Sequence, residues 1–175
     1  FPLKEDGTIE NQAEAMIRRA INAGINYIDT AIHIIREKVS HFRQSLKKYP
    51  RNSVYLATKL PVWLVNSVED AERLFKEQLS RLQTKYIDYY LLHALDAGRW
   101  EKMVKEGIIQ WAEEKKASGQ IRHLGFSFHD TYPVFRKILL IASGISARSS
   151  TIILIPRSRR EIKAMSLQLK WVFLW

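Results

Sequence analysis

Three side chains that can hold or move protons stand at the ends of three strand-like segments. Asp29, Lys59 and His93 close the segments NYIDTA, VYLATK and IDYYLLH, and a loop and a helical pattern follow each one. The carboxyl ends of parallel strands share one edge, so residues far apart in sequence meet there. A buried ammonium stays charged beside an anion, so we expect Lys59 to pair with a carboxylate. The layout predicts an active site for acid–base chemistry.

Each of these residues also has a purely structural explanation. In this reading, Asp29 is a carboxylate that caps the following turn, and Lys59 or His93 is a strand-end residue whose hydrogen bonds are made within the protein. His123 and His129 are expected to be strand-end or loop residues, because no second ligand lies at the spacing of a helical metal site. The sequence therefore predicts no metal.

Strand and helix patterns alternate along most of the chain. Strands are predicted over 25–31, 54–59, 86–93 and 121–127, and helices over 9–23, 67–82, 100–118 and 131–140. Such alternation indicates an α/β fold with parallel strands and right-handed crossovers. The periodicity fits a closed barrel and an open sheet equally well.

Length and composition narrow the class of protein. The chain has 175 residues, enough for one domain but fewer than the roughly 250 of a complete eight-unit barrel. Its 46% hydrophobic and 26% charged residues are typical of a folded globular chain, and no run predicts a membrane span. Cysteine is absent, so a cytoplasmic location is the expectation. The start lacks Met and a signal segment, which suggests an internal part of a longer protein.

Four motifs in order carry a resemblance to a known family. NYIDTA, YLATKLPVW, QLSRLQTKYIDYYLLHAL and GQIRHLGFSFHD resemble segments of the aldo-keto reductases, from about Phe1 to Leu140. The resemblance implies a (β/α)8 TIM barrel, here incomplete, with about five to six βα units present. It also implies an oxidoreductase in which NADPH delivers hydride to a small carbonyl substrate, an aldehyde or a ketone.

The resemblance assigns roles to five residues of this chain. It makes Asp29 the partner of the lysine and part of the cofactor site, and Lys59 the cation that activates a tyrosine proton donor. It makes His93 the group that orients the carbonyl. Ser127 matches the serine that holds the nicotinamide carboxamide, and Trp63 stands where a substrate-binding aromatic is common.

The position of the proton-donor tyrosine is occupied by Ile34. The isoleucine side chain has no acidic proton, and general acid catalysis contributes roughly 10²- to 10⁴-fold to a rate. Together with a missing C-terminal half of the barrel, the replacement predicts impaired activity.

Two segments depart from the family pattern, and we interpret both as out-of-frame translation. They are Ile32 to about His41, and about Ile141 to Trp175. Regrouping their codons by one base permits the family motifs, and the coding DNA tests this hypothesis. The chain is accordingly divided into a partial barrel at 1–140 and an atypical basic and apolar tail at 141–175.

Two other classes of function stay open. One is a barrel remnant without catalysis. The other is a basic binding module. The tail holds six basic residues and one acidic residue, so its net charge of +5 is half of the +10 of the whole chain. A solvated or out-of-frame stretch explains Arg157–Arg160 better than contact with nucleic acid does. The sequence sets neither the carbonyl substrate, the choice of NADPH over NADH, nor the oligomeric state.

Overall fold

The structure is a computed structural model that describes residues 11–30, 46 and 48–145, with side chains over 15–30, 46 and 48–141. Four strands and five α-helices alternate through this part of the chain. The strands are β1 (Tyr27–Asp29), β2 (Tyr55–Leu60), β3 (Ile87–Leu95) and β4 (Ile121–Phe128). The helices are α1 (Asn11–Asn22), α2 (Val68–Arg81), α3 (Ala97–Lys105), α4 (Ile108–Ala117) and α5 (Tyr132–Ile145).

The strands form one parallel sheet in the order β1-β2-β3-β4. The spatial order follows the chain without the reversal that marks a doubly wound sheet, so the fold is that of a partial barrel. This confirms the predicted α/β class and the incomplete barrel that the family resemblance implies. The described residues hold four strands, and any further βα unit lies outside them.

The two faces of the sheet differ. Side chains at even positions, such as Leu60, Tyr90 and Phe126, are buried in a core shared with the helices. A second buried cluster joins Ile17 of α1 to Leu56 on the same face. Most side chains at odd positions point to the opposite face, which we call the site face, because successive residues of a strand alternate. Ile87, Leu95 and Ile121, at strand ends, belong to the core instead.

The helix predicted over 100–118 is two helices. Helix α3 ends at Lys105 and α4 begins at Ile108, and Gly107 between them has φ of 73°. A left-handed residue interrupts the helical hydrogen bonds, and glycine adopts this conformation without a Cβ penalty. The expectation of one continuous helix was therefore wrong, because the glycine terminates the first helix.

Other element ends shift by a few residues. Strand β3 continues past His93 to Leu95, and α5 continues past residue 140 to Ile145. The segment 32–41 with Ile34, and the tail beyond 145, lie outside the described residues, so the division at residue 140 and the reading-frame hypothesis stay predictions.

A buried carboxylate ties three strands together at their N-terminal ends. Asp88 is 1% exposed and accepts hydrogen bonds from Arg51 Nη2 at 2.6 Å, Arg122 Nη1 at 2.9 Å and the Leu56 amide at 2.9 Å. The two guanidinium groups lie 4.1 and 4.0 Å from the Tyr86 ring centroid. We call Asp88, Arg51, Arg122 and Tyr86 the N-terminal charge cluster. It lies at the end of the strands away from Asp29, Lys59 and His93.

Candidate active site

The strand register brings the predicted site residues to one end of the site face. Asp29 pairs with Ala57, two residues before Lys59, and Lys59 pairs with Leu91, two residues before His93. Leu91 in turn pairs with Gly125, two residues before Ser127. Each offset is even, so these side chains share a face, and each step moves toward the carboxyl ends of the strands.

Lys59 and Asp29 form a two-pronged ion pair. The Lys59 Nζ donates to both carboxylate oxygens of Asp29 at 2.6 Å. The lysine side chain is 9% exposed and the aspartate side chain 30% exposed, so the ammonium is held in the protein while the carboxylate borders solvent. A fixed positive charge at the end of the strands stabilises negative charge that develops next to it.

A buried amide fixes the backbone of the lysine. Gln78 on α2 donates from Nε2 to the Lys59 carbonyl at 2.8 Å and accepts from the Tyr90 hydroxyl at 2.8 Å. Gln78 is 3% exposed and Tyr90 is fully buried. Burial raises the pKa of Tyr90 well above its usual value, so its hydroxyl stays protonated and keeps donating. Gln78 is not among the residues predicted from the sequence, although a polar residue on the apolar stripe of Leu74 and Phe75 is a signal of such a network.

His93 lies against the predicted substrate-loop aromatic. Its ring centroid is 5.0 Å from that of Trp63, at an interplanar angle of 55°. Trp63 belongs to a short 3-10 turn, Val62–Leu64, that directly follows β2. The structure therefore places an imidazole, an indole and the Lys59–Asp29 pair at neighbouring strand ends.

The residue after His93 has a strained backbone. Ala94 has φ of 56° in a β-bulge where the pairing of β3 with β4 shifts between Leu92 and Leu95. The Ala94 amide donates to Ser127 Oγ at 2.7 Å, and Arg99 Nη1 donates to the Ala94 carbonyl at 2.7 Å. A left-handed alanine costs about 1–2 kcal/mol, and the two hydrogen bonds return about 1 and about 1.5 kcal/mol. The bulge is held by these two bonds.

A row of aromatic rings lies below the rim on the site face. Tyr89 stacks on His123 at 4.7 Å and contacts Tyr27 at 5.4 Å between ring centroids. Burial, and next the negative charge of Asp29, raise the pKa of Tyr27, which makes its hydroxyl a poorer acid. Burial, and next the positive charge of Lys116, lower the pKa of His123 and favour neutral imidazole.

Within the described ranges, no group of three or more His, Asp or Glu side chains is arranged to hold a metal ion. Over those same residues, none of the helices combines the length and the apolar character that crossing a membrane requires.

The donors at the rim suit an amide and a carbonyl oxygen. Ser127 is 3% exposed, and its oxygen accepts the Ala94 amide while its own proton remains able to donate. A buried hydroxyl of this kind matches a carboxamide oxygen, and Lys59 and His93 supply a cation and an imidazole for a second oxygen. These residues fit a nicotinamide ring and a carbonyl compound.

The fold and the rim together define a barrel-type protein with its site at the carboxyl ends of parallel strands. The chain belongs to the aldo/keto reductase family, whose family model matches residues 2–171. A Bacillus subtilis protein described as the uncharacterized oxidoreductase YqkF is 34% identical in an alignment of length 131 that covers 69% of this chain and 41% of that protein. The methylglyoxal reductase DkgB of Salmonella typhimurium is 29% identical over 89% of this chain and 55% of its own length.

Solved structures agree with this assignment. The aldo-keto reductase AKR11C1 from Bacillus halodurans, in its holo form, superposes with a TM-score of 0.71 at 28% identity, over 92% of this chain and 54% of that one. A Klebsiella pneumoniae aldo-keto reductase in complex with NADPH gives a TM-score of 0.63 at 29% identity, over 76% of this chain and 44% of that one. The chain thus spans about half the length of these relatives.

Proposed function

We propose that the chain is the part of an NADPH-dependent aldo-keto reductase that binds the nicotinamide and the carbonyl group. The Lys59–Asp29 ion pair carries the proposal, because a buried ammonium fixed by both oxygens of a carboxylate lies at the rim, one strand away from His93. Two relatives, one crystallised with NADPH and one named a methylglyoxal reductase, support this cofactor and a small aldehyde or ketone as substrate.

Three residues of the chain have separate roles around the carbonyl group and the cofactor. NADPH, when bound, supplies the two electrons as hydride to the carbonyl carbon. Lys59 stabilises the negative charge that then develops on the oxygen, and His93 orients the carbonyl by hydrogen bonding. Ser127 donates to the carboxamide of the cofactor and so orients its ring.

The family's proton donor to the product alcohol is a tyrosine, and this chain has isoleucine at that position. The family pattern places a tyrosine at the position of Ile34, which lies outside the described residues. Tyr27 precedes Asp29 by two residues on β1, but its raised pKa disfavours proton donation. We infer that the chain reduces carbonyl compounds roughly 10²- to 10⁴-fold more slowly than a version with the tyrosine.

Titration with NADPH, followed by its fluorescence, and assay of aldehyde reduction test the proposal. Three proteins are compared: the 175-residue chain, its Ile34→Tyr variant, and a version with the family motif at 32–41 and a C-terminal half taken from a relative. Reduction is expected in the third protein and weak or absent in the first. If the third protein neither binds NADPH nor reduces an aldehyde, the proposal is wrong.

Lys59→Met in the third protein tests the observation that carries the proposal. Lys76→Met is the matched control, because Lys76 also pairs with a carboxylate, at 3.3 Å from Glu72, but its side chain is 70% exposed. Loss of reduction in the first variant with retention in the second supports the role of the buried ion pair. Equal activity of the two variants contradicts it.

A further inference from the structure

We propose that Arg99 is a positioning residue that sets the direction of His93 by holding the strained backbone of Ala94. The inference rests on the proposed function in one respect, namely that His93 orients the carbonyl. The structural part, the hold on Ala94, stands by itself.

The two hydrogen bonds at Ala94 fix both peptide planes that meet at its Cα. The amide that joins His93 to Ala94 is held by Ser127 Oγ, and the carbonyl on the other side is held by Arg99 Nη1, each at 2.7 Å. A residue has only two soft backbone dihedrals, so fixing both planes fixes its φ and ψ. The first plane also sets ψ of His93, which directs the imidazole.

Arg99 reaches the histidine by a second route. Its guanidinium carbon lies 5.9 Å from the Trp63 ring centroid, and Trp63 contacts the His93 ring at 5.0 Å. Asp96, the N-cap of α3, holds the arginine at its base: its carboxylate accepts the Arg99 amide at 2.8 Å and lies 3.4 Å from Nε. The start of α3 is thereby linked to the imidazole.

Alanine is the residue that makes this hold necessary. Ala94 is left-handed with φ of 56°, a conformation that glycine adopts freely and alanine resists. Without the Arg99 bond, the bulge keeps only the Ser127 bond against the strain. The ratio of relaxed to held conformers is then expected to rise roughly tenfold, which corresponds to about 1.4 kcal/mol.

Hydrogen exchange of the residue 94 amide, measured by NMR on the full 175-residue chain without cofactor, tests the proposal. Arg99→Met keeps the side-chain stem and removes the donors, and it is expected to lower the protection factor roughly tenfold. It should also weaken the nuclear Overhauser effect between Trp63 and His93. Because the Arg99 side chain is 41% exposed, the variant is expected to fold, and a thermal melt checks this.

Two further variants separate positioning from a general loss of charge. Arg73→Met is the matched control, since Arg73 also forms an i,i+3 ion pair, at 3.1 Å with Asp70, but is 62% exposed and belongs to α2. Ala94→Gly in the Arg99→Met background removes the strain and should restore both signals. Unchanged signals in Arg99→Met, an equal loss in Arg73→Met, or no rescue by glycine would each overturn the proposal.

Turnover then separates this proposal from the proposed function. In the protein with a restored C-terminal half, Arg99→Met should lower kcat with little change in KM for NADPH, and Ala94→Gly should recover kcat. If the exchange results hold while the restored protein reduces no aldehyde, the proposed function fails and the hold on Ala94 stands. If reduction occurs and kcat does not respond to Arg99→Met, the effect of Arg99 on His93 is refuted.

Discussion

Replacing Gln78 with methionine is expected to destabilise the chain, and the loss follows from two buried partners. The substitution keeps the size of the side chain but leaves the Lys59 carbonyl and the Tyr90 hydroxyl without the hydrogen bonds that Gln78 makes at 2.8 Å. Each buried polar group that loses its partner costs about 1–3 kcal/mol. The expected loss in free energy of unfolding is therefore about 2–6 kcal/mol, a large part of the roughly 5–15 kcal/mol of a typical domain.

Tyr90→Phe tests whether the unpaired Tyr90 hydroxyl causes part of this loss. Tyr90→Phe alone removes the donor to Gln78 and should cost about 1–3 kcal/mol. Added to Gln78→Met, the same change removes the unpaired hydroxyl while keeping the ring in contact with Phe75 and Trp111. The double variant should then be more stable than Gln78→Met by about 1–3 kcal/mol, so a substitution that harms the parent chain helps the variant.

Urea unfolding followed by tryptophan fluorescence measures these differences. Gln110→Met is the matched control, because the Gln110 side chain is exposed on α4 and donates to Glu114 at 3.1 Å. Its effect should stay within about 0.5 kcal/mol. A loss below about 1 kcal/mol for Gln78→Met, or a double variant less stable than Gln78→Met, would refute the account of the buried amide.

Two further outcomes concern other titratable groups. Asp88→Ala leaves Arg51 and Arg122 without their buried carboxylate and should cost about 3–5 kcal/mol in urea unfolding, and a loss under about 1 kcal/mol contradicts this. NMR titration should place the pKa of His123, stacked on Tyr89, below 6.5. The unfolded chain then binds more protons than the folded chain. The contribution of neutral His123 to the free energy of unfolding is therefore fully present above about pH 6.5, and it is lost as the pH drops through the folded pKa. His123→Phe should remove this dependence, and an unaltered slope would show that His123 is not its source.

The strands and the main polar pairing were predictable because their signals are local or chemically forced. Runs such as VYLATK and IDYYLLH are mainly apolar over the length of a strand, and each ends at an ionisable side chain, Lys59 or His93. A buried ammonium requires an anion, and the resemblance to the family named Asp29 as the partner of Lys59. Periodicity does not distinguish a barrel from a doubly wound sheet, so the order of the strands was predictable only through the resemblance to the family.

The details around His93 were not predictable in this way. A left-handed alanine carries no composition signal, since glycine or asparagine is the residue expected at positive φ. Arg99 reaches back to the carbonyl of Ala94 with a long side chain, and neither strand nor helix periodicity encodes that bond. The break at Gly107 was readable in principle, because a glycine inside a helical pattern marks a possible end.

The N-terminal charge cluster stabilises the sheet without belonging to the candidate site. Asp88 and its partners join strands at the end of the sheet away from the rim, and none of the four residues of the cluster belongs to the candidate site. In barrels, the features of this end serve stability and those of the opposite end serve catalysis. A substitution at the rim therefore leaves this cluster in place, so side chains of the site can be exchanged to test the chemistry without removing these contacts.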